Sequence, residues 1–363
     1  MTNDRKLWIV ALATSPALCL SAAGQTEGSA SLLSPPPPAV HNRIGLGFRL
    51  SMNLTVDFEN MGFLPAASDP GLAFGNRNRS YDNGYSRVDV SGNNHGPGFE
   101  NTTWNWGYEN SSQVASRNGT PQSILFHSSS SKGASTSLDD DPEPGFELTY
   151  SRALVLKPKW RGGIEWAFGY TDLEMHEYGP LRTDVPRTSD RYSIPAETIS
   201  GQPLPPPGFR GDFIGPRPVI DSTPSRTLST LSGYVIGSRS FGSDLFCFRL
   251  GPYIEVPLSS KIAAGFGGGA ALVYAHSEFI FDESVTVPGR GTYTFTGNSS
   301  NDEVLPGGYV TAAISAEFAE NWAAFASAQL FSVGDYTHDL VGRRAVLDLS
   351  KSIFVTIGLA YSF

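Results

Sequence analysis

In His276-Ser277-Glu278 a base, a hydroxyl and an acid stand side by side in this 363-residue chain. That trio could support hydrolysis, with the imidazole taking a hydroxyl proton while a carboxylate orients the ring. The spacing argues against this use. Neighbours on an extended chain point to opposite faces, so His276 and Ser277 need partners from other strands before a proton can pass between them. The remaining histidines, His41, His95, His127, His176 and His338, are scattered. Asp139-Asp140-Asp141 with Glu143 offers oxygen ligands for a divalent cation, but without a second spaced set it reads as a solvated charge run. The glycines between Gly265 and Gly269 lack the following helix that would make a phosphate cradle, and the sequence holds no zinc-ligand spacing or nucleophile motif. The expectation is a protein that is not an enzyme, with no catalytic residue, metal or cofactor.

The elements that carry these residues alternate with a period of two. Ile44, Leu46, Phe48, Leu50, Met52, Leu54, Val56 and Phe58 form an apolar row interleaved with Gly45, Gly47, Arg49, Ser51, Asn53, Thr55, Asp57 and Glu59. This spacing predicts one long strand, apolar side to lipid and polar side to a lumen. Seven further strands follow. They are marked by Phe146, Leu148 and Tyr150; by Ile164, Trp166, Phe168 and Tyr170; by Phe246, Phe248, Leu250, Ile254 and Val256; by Ile262, Ala264, Phe266, Ala270, Leu272 and Tyr274; by Val310, Ala312, Ile314, Ala316 and Phe318; by 322–333; and by the last eleven residues. Three joints are very short, Lys157-Pro158-Lys159, Ser259-Ser260-Lys261 and Ala319-Glu320-Asn321, and they alternate with long connections at 61–143, 177–242 and 283–305 and a shorter one at 338–344. The fold class that results is all-β: a transmembrane antiparallel up-and-down barrel of about eight strands. The alternative is ten, if the weakly alternating stretch 228–236 crosses with a partner. Arg152 falls in phase with the lipid row near mid-membrane, at a cost of about 2–4 kcal/mol, which predicts a bulge around it. Pro252 removes a ladder donor and predicts a second irregularity. The seventh strand, with Phe325 and Phe331 opposite Ala324, Ala326 and Ala328, has no decisive face.

Both termini fit this architecture. Ile353, Val355, Ile357, Leu359, Tyr361 and Phe363 form a large apolar row that ends on a terminal Phe, and only Phe354 interrupts the small or polar row between them. That pattern resembles the C-terminal signal by which bacterial outer-membrane β-barrels are recognised and inserted, which implies the barrel-assembly machinery as a partner. At the other end Arg5 and Lys6, the apolar stretch 9–20 and Ala22-Ala23-Gly24 read as a secretory signal over residues 1–24. Residues 25–42, with prolines at 35–38, read as a periplasmic linker, and 43–363 as the barrel. Cys19 leaves with the signal, so Cys247 is then the single cysteine and no internal disulfide forms. The formal charge of −9 argues against nucleic acid as a partner. In alternation, turn spacing and the terminal Phe signal 43–60 and 144–363 resemble the small OmpA-like and OmpX-like barrels, without the family's soluble peptidoglycan-binding domain. The resemblance implies a bacterial outer-membrane location, periplasmic termini, extracellular long loops, and outer-membrane lipid and lipopolysaccharide as surroundings.

On this reading the lumen receives Arg49, Asp57, Glu147, Arg161, Glu165, Arg249, Glu255 and Glu317. Eight strands leave space only for side chains, and confined charges are costly unless paired, so an ion-pair network that closes the barrel is expected. Small residues on the fifth strand, Ala263, Gly265, Gly267, Gly269, Ala271 and Ala275, make room for it. Trp160, Trp166, Tyr170, Trp322, Tyr336 and Tyr361 suit an aromatic girdle at the headgroups. Trp104, Trp106 and Tyr108 lie in the first long loop, where they could stack on a surface glycan or hold the loop together. The function expected is structural or surface contact through the loops. A small-solute pore and a membrane-embedded lipid-modifying hydrolase are the alternatives.

Overall fold

The computed structural model describes residues 42–88, 101–139, 142–196, 204–211 and 218–363. The expected signal peptide and nearly all of the linker lie outside these residues, as do Asp140 and Asp141. Eight strands form a ring: β1 (Asn42–Met52), β2 (Glu143–Lys157), β3 (Trp160–Tyr178), β4 (Ser225–Pro257), β5 (Ile262–Val287), β6 (Gly291–Ala319), β7 (Trp322–Val333) and β8 (Ile353–Ser362). The order is β3-β2-β1-β8-β7-β6-β5-β4, and β4 pairs back onto β3, every contact being antiparallel. Closure is what hydrocarbon demands, because a sheet edge there would leave backbone groups without partners. The three short turns fall where the sequence puts them, after β2, β4 and β6. The stretch 228–236 is the upper part of β4, so the ring has eight members.

The outward rows are apolar and bare: Ile357 is 64% exposed, Leu359 50%, Leu46 59% and Leu250 56%. A continuous belt of this kind is stable only against lipid. In the terminal row Ile353, Ile357, Leu359, Tyr361 and Phe363 face outward and Val355 is half-buried. Aromatic rings bound the belt. Tyr150, Trp166, Trp322 and Tyr361 stand toward the short turns, with ring contacts of 6.0 Å for Tyr150–Trp166 and 5.1 Å for Trp322–Tyr361. Phe146, Tyr170, Phe246 and Tyr274 pair side by side toward the other end. One ladder step beyond them the outward residues become Asp172, Asp244, His276 and Asp302, paired in that order. The lipid belt ends there. Tyr336 does not join the girdle, since it is wholly buried in the extramembrane core.

Arg152 is placed differently from its expected mid-membrane position. It pairs with Asn42, on the short-turn side of the aromatic ring, where a long cationic side chain reaches the headgroups. A register shift between Ala153 and Val155 supplies the expected bulge. Pro252 leaves a gap in the β4–β5 ladder, which resumes at Tyr253↔Gly267 in the same register. On β7, Phe325 and Phe331 turn inward, and the lipid side is built from Ala324, Ala326, Ala328 and Leu330.

Above the belt the barrel becomes a sandwich. Strands β4, β5 and β6 run for 33, 26 and 29 residues, far beyond the roughly 9–11 that cross a bilayer. The opposite wall breaks away. At Asn53 the backbone turns left-handed (φ 60°), and the predicted single strand 44–58 is in fact two. Its second part, Thr55–Met61, joins a four-stranded sheet in the order Tyr336–Leu340, Arg343–Asp348, Thr55–Met61, Ala134–Asp139. Leu54, Val56 and Phe58, expected to meet lipid, are fully buried between this sheet and the tall wall. The connections expected at 61–143, 177–242 and 283–305 therefore contain ordered strands. The last is the far end of the β5–β6 hairpin, turning at Pro288-Gly289-Arg290. Beyond it, Leu181–Ser193, Thr120–Ser129 and Val114–Arg117 extend the tall sheet sideways from β4.

Candidate functional site

The lumen within the belt is occupied by charge. Arg249 donates to Glu165 at 2.6 Å and to Glu147 at 3.1 Å. Glu147 is 1% exposed, accepts two contacts of 2.9 Å from Gln329 Nε2 and stands 3.8 Å from Arg49. Arg49 lies 3.6 Å above the Phe354 ring, so the one large residue in the inward row of β8 is the platform for a buried guanidinium. Gly169 makes the space: a Cβ there would come within 1.7 Å of Arg49 Nη1. Nearer the short turns a second cluster forms, with Arg161 at 2.5 Å and Arg43 at 3.1 Å from Glu255. A cavity of only about 80 Å³ lies between the two clusters. Arg49, Glu147, Arg161, Glu165, Arg249 and Glu255 are thus brought together in two groups.

The other two expected members are elsewhere. Asp57 follows the break at Asn53 and sits on the four-stranded sheet outside the lipid belt. Glu317 is exposed at the short-turn mouth. Sequence alternation alone missed Gln329, Phe354 and Arg43. Their inward phase on β7, β8 and β1 is readable once the outward rows of those strands are known.

A second closure lies directly above. Inward positions of β3, β4 and β5 change from polar to apolar at the end of the lipid belt: Leu173, Phe241, Leu245, Val273, Phe279 and Phe281 are all essentially buried. They meet Leu54, Val56, Phe58, Tyr336 and Leu347 from the second sheet. One ion pair is enclosed here, Arg343 to Glu283 at 2.8 Å, and Glu283 also accepts the Gly62 backbone N–H at 2.7 Å. Gly62 is needed in this place, with a positive φ of 70° and Val235 at 2.2 Å from where a Cβ would stand.

His338 lies in this core, its Nε2 sharing a 2.7 Å hydrogen bond with Ser299 Oγ, while its Nδ1 has no partner among the described residues. Burial pushes its pKa below the ordinary value of 6.5, and His127, between the hairpin tip and Asn83, is lowered for the same reason. Both sites disfavour the proton, so the full stability of the extramembrane cap, the tall sheet and the strands packed on it above the lipid belt, is present above about pH 6.5 and falls as pH drops, when the unfolded chain takes up protons first. Near-UV circular dichroism melts are expected to show the cap losing stability between about pH 7 and pH 5, with a shallower slope in His338→Asn. An identical slope in that variant would assign the effect elsewhere.

Two of the three loop aromatics are core residues. Trp106 is fully buried, donates Nε1–H to the Pro218 carbonyl at 2.9 Å and meets the Phe209 ring at 5.0 Å. Tyr108 is 2% exposed, and Trp104 is half-buried in the same segment. Trp106 and Tyr108 thus do not offer faces to a glycan; with Tyr81, Ile124, Phe126, Tyr192 and Ile220 they build a second small core. Below it Asp190, wholly buried, receives Arg226 at 2.7 and 2.6 Å and Tyr81 at 2.6 Å.

The His276-Ser277-Glu278 trio is divided as alternation requires. His276 points outward and pairs with Asp302 at 2.5 Å, whereas Ser277 points inward and donates to Ser243 Oγ at 2.7 Å. Cys247 is buried on the inward side. No group of acidic, histidine or cysteine side chains able to hold a metal occurs among the described residues.

No protein-family model matches the sequence, and no curated protein matches it. Solved structures do. Ail, the attachment invasion locus protein of Yersinia pestis, solved in complex with the heparin analogue sucrose octasulfate, is 10% identical with a TM-score of 0.28, covering 89% of this chain and 99% of that one. The outer membrane protease OmpT from Escherichia coli is 13% identical with a TM-score of 0.30, covering 90% and 98%. A Pseudomonas aeruginosa FadL homologue is 8% identical with a TM-score of 0.19, covering 89% and 90%. The chain is an outer-membrane-type β-barrel on its own closed ring, apolar exterior and polar lumen.

Proposed function

We propose that this protein is a non-enzymatic, non-conducting outer-membrane barrel that carries an ordered β-structured head above the membrane for structural or surface-contact roles, with termini in the periplasm and long loops outside. The observation that carries this reading is the double closure of the axis. A solute entering from the short turns meets paired charges around Glu147 and Glu255, and then a hydrophobic core that fills the space between two sheets. A pore needs neither. Contact roles need a rigid head, and two separate cores with a fully bonded Asp190 supply rigidity. The full chain in planar bilayers is expected to give no discrete ion channels at physiological salt. Reproducible single-channel steps would favour the solute-pore reading instead.

One feature favours a hydrolase as the second reading, the outward His276–Asp302 pair at the boundary of the lipid belt. Against it, the adjacent hydroxyl of Ser277 is enclosed on the other face and engaged by Ser243. Lipid A and phospholipid composition are expected to be unchanged on overexpression of the natural chain. A change that His276→Ala abolishes would replace the non-enzymatic reading with the hydrolase.

A further inference from the structure

At the short-turn mouth the lumen opens into a cleft of about 210 Å³ between the turns that follow β2 and β4. Its walls are of two kinds. Trp160 and Ile262 continue the exposed apolar surface that faces lipid, Leu156 lies in register with Arg161 on the lumen side of the mouth, and Lys157, Arg161 and Lys261 bring cations to the same level. The charges are unbalanced. Glu255 and Glu317 are the carboxylates on the wall, against Arg161, Lys157 and Lys261, and Glu255 is further answered by Arg43 from outside the cleft. Ser259 Oγ accepts the backbone N–H groups of Lys261 and Ile262 at 3.3 and 3.1 Å, which leaves its own proton to donate.

A water-soluble anion would use the cations and waste the apolar wall. A zwitterionic lipid would use the wall and bring no net charge. An amphiphile with an anionic phosphodiester uses both, and a cation close to a bilayer surface favours such a headgroup by a free energy that adds from residue to residue. We propose that the cleft holds an anionic phospholipid of the leaflet that meets the short turns, with its phosphodiester between Lys157 and Lys261, a hydrogen bond from Ser259, and an acyl chain along Trp160 and Ile262. Arg152 and Lys159, exposed on the same rim, add to the local potential.

The test is native mass spectrometry of the full chain released from micelles that contain equimolar phosphatidylglycerol and phosphatidylcholine. Retention of phosphatidylglycerol is expected to exceed that of phosphatidylcholine by about tenfold. In Lys157→Gln/Lys261→Gln the preference should fall to near parity, and in Lys132→Gln, a lysine of the cap, it should be unchanged. Lys261→Glu, in the same exposed turn, provides an independent check, and heat-modifiable migration establishes that each variant is folded. Equal retention of the two lipids by the natural chain would overturn the proposal, as would a preference that survives in the double variant. Full displacement by soluble glycerol phosphate would also overturn it, by assigning the cleft to a free anion.

Discussion

Glu147→Ala is expected to destabilise the folded barrel by about 3–5 kcal/mol, because it strands two buried guanidiniums at once. Arg49 and Arg249 both answer this carboxylate from inside the membrane belt, and Gln329 spends its amide on it. Arg249 would keep Glu165, at 2.6 Å and partly accessible. Arg49 would keep the faces of Phe354 and Phe331 and the buried, uncharged Cys247 beside it. Its Nε and Nη2 have no hydrogen-bond partner among the described residues even with the carboxylate in place, so the loss falls on a group with no second carboxylate to turn to among them. Glu147→Gln preserves shape and should lie between the natural protein and the alanine variant. Urea unfolding in lipid vesicles, followed by tryptophan fluorescence, measures the difference. A loss below about 1 kcal/mol for the alanine variant would show that the lumen charges are solvated and not mutually dependent.

Phe279→Ala should cost a similar amount, about 3–5 kcal/mol, but from a different part of the molecule. The ring is fully buried and stands 5.8 Å from Phe58 and 5.6 Å from Phe281, so it bridges the tall sheet and the four-stranded sheet. Its removal opens a cavity in the extramembrane core, where no lipid can enter to fill it. Hydrogen exchange is the appropriate readout, since amides of Thr55–Met61 and Tyr336–Leu340 should lose protection while those of β1 and β8 within the belt keep theirs. Uniform loss across both regions would mean that cap and barrel unfold as one unit. Unchanged protection in the cap would mean that the sheet-on-sheet core contributes little.

The barrel was legible because a lipid-facing strand needs a large apolar side chain at every second position and a closed lumen needs the opposite. Short turns are set by Lys157-Pro158-Lys159, Ser259-Ser260-Lys261 and Ala319-Glu320-Asn321, where the alternation stops and restarts within three residues. Six of the eight expected lumen charges followed from the same phase. Of the other two, Glu317 keeps the phase but lies too near the short turn to be enclosed, and Asp57 traces to Asn53, a residue for which a left-handed turn is inexpensive but not obligatory, so the apolar row appears unbroken across it. Trp106 and Tyr108 were ambiguous for another reason: an aromatic residue in a polar loop serves a ligand or a small core equally well, and only long-range partners such as Phe209 and Pro218 decide between them.

Local periodicity determined the class of fold, the turns and the lipid row of the final strand, since each is a property of consecutive residues; eight strands rather than ten followed only when 228–236 proved to be the upper part of β4. It left open what lies on either side of a strand at each height. On β5 the even-numbered residues point outward throughout, yet Phe266 and Leu272 meet lipid while Phe279 and Phe281, at odd positions, fill a dry core. What distinguishes the two levels is the medium on the far side: hydrocarbon around the ring below, and water around the sandwich above. That boundary, and the sheet that breaks away at Asn53 to cover the upper face, are contacts between segments far apart in the chain. They exist only once the strands have closed.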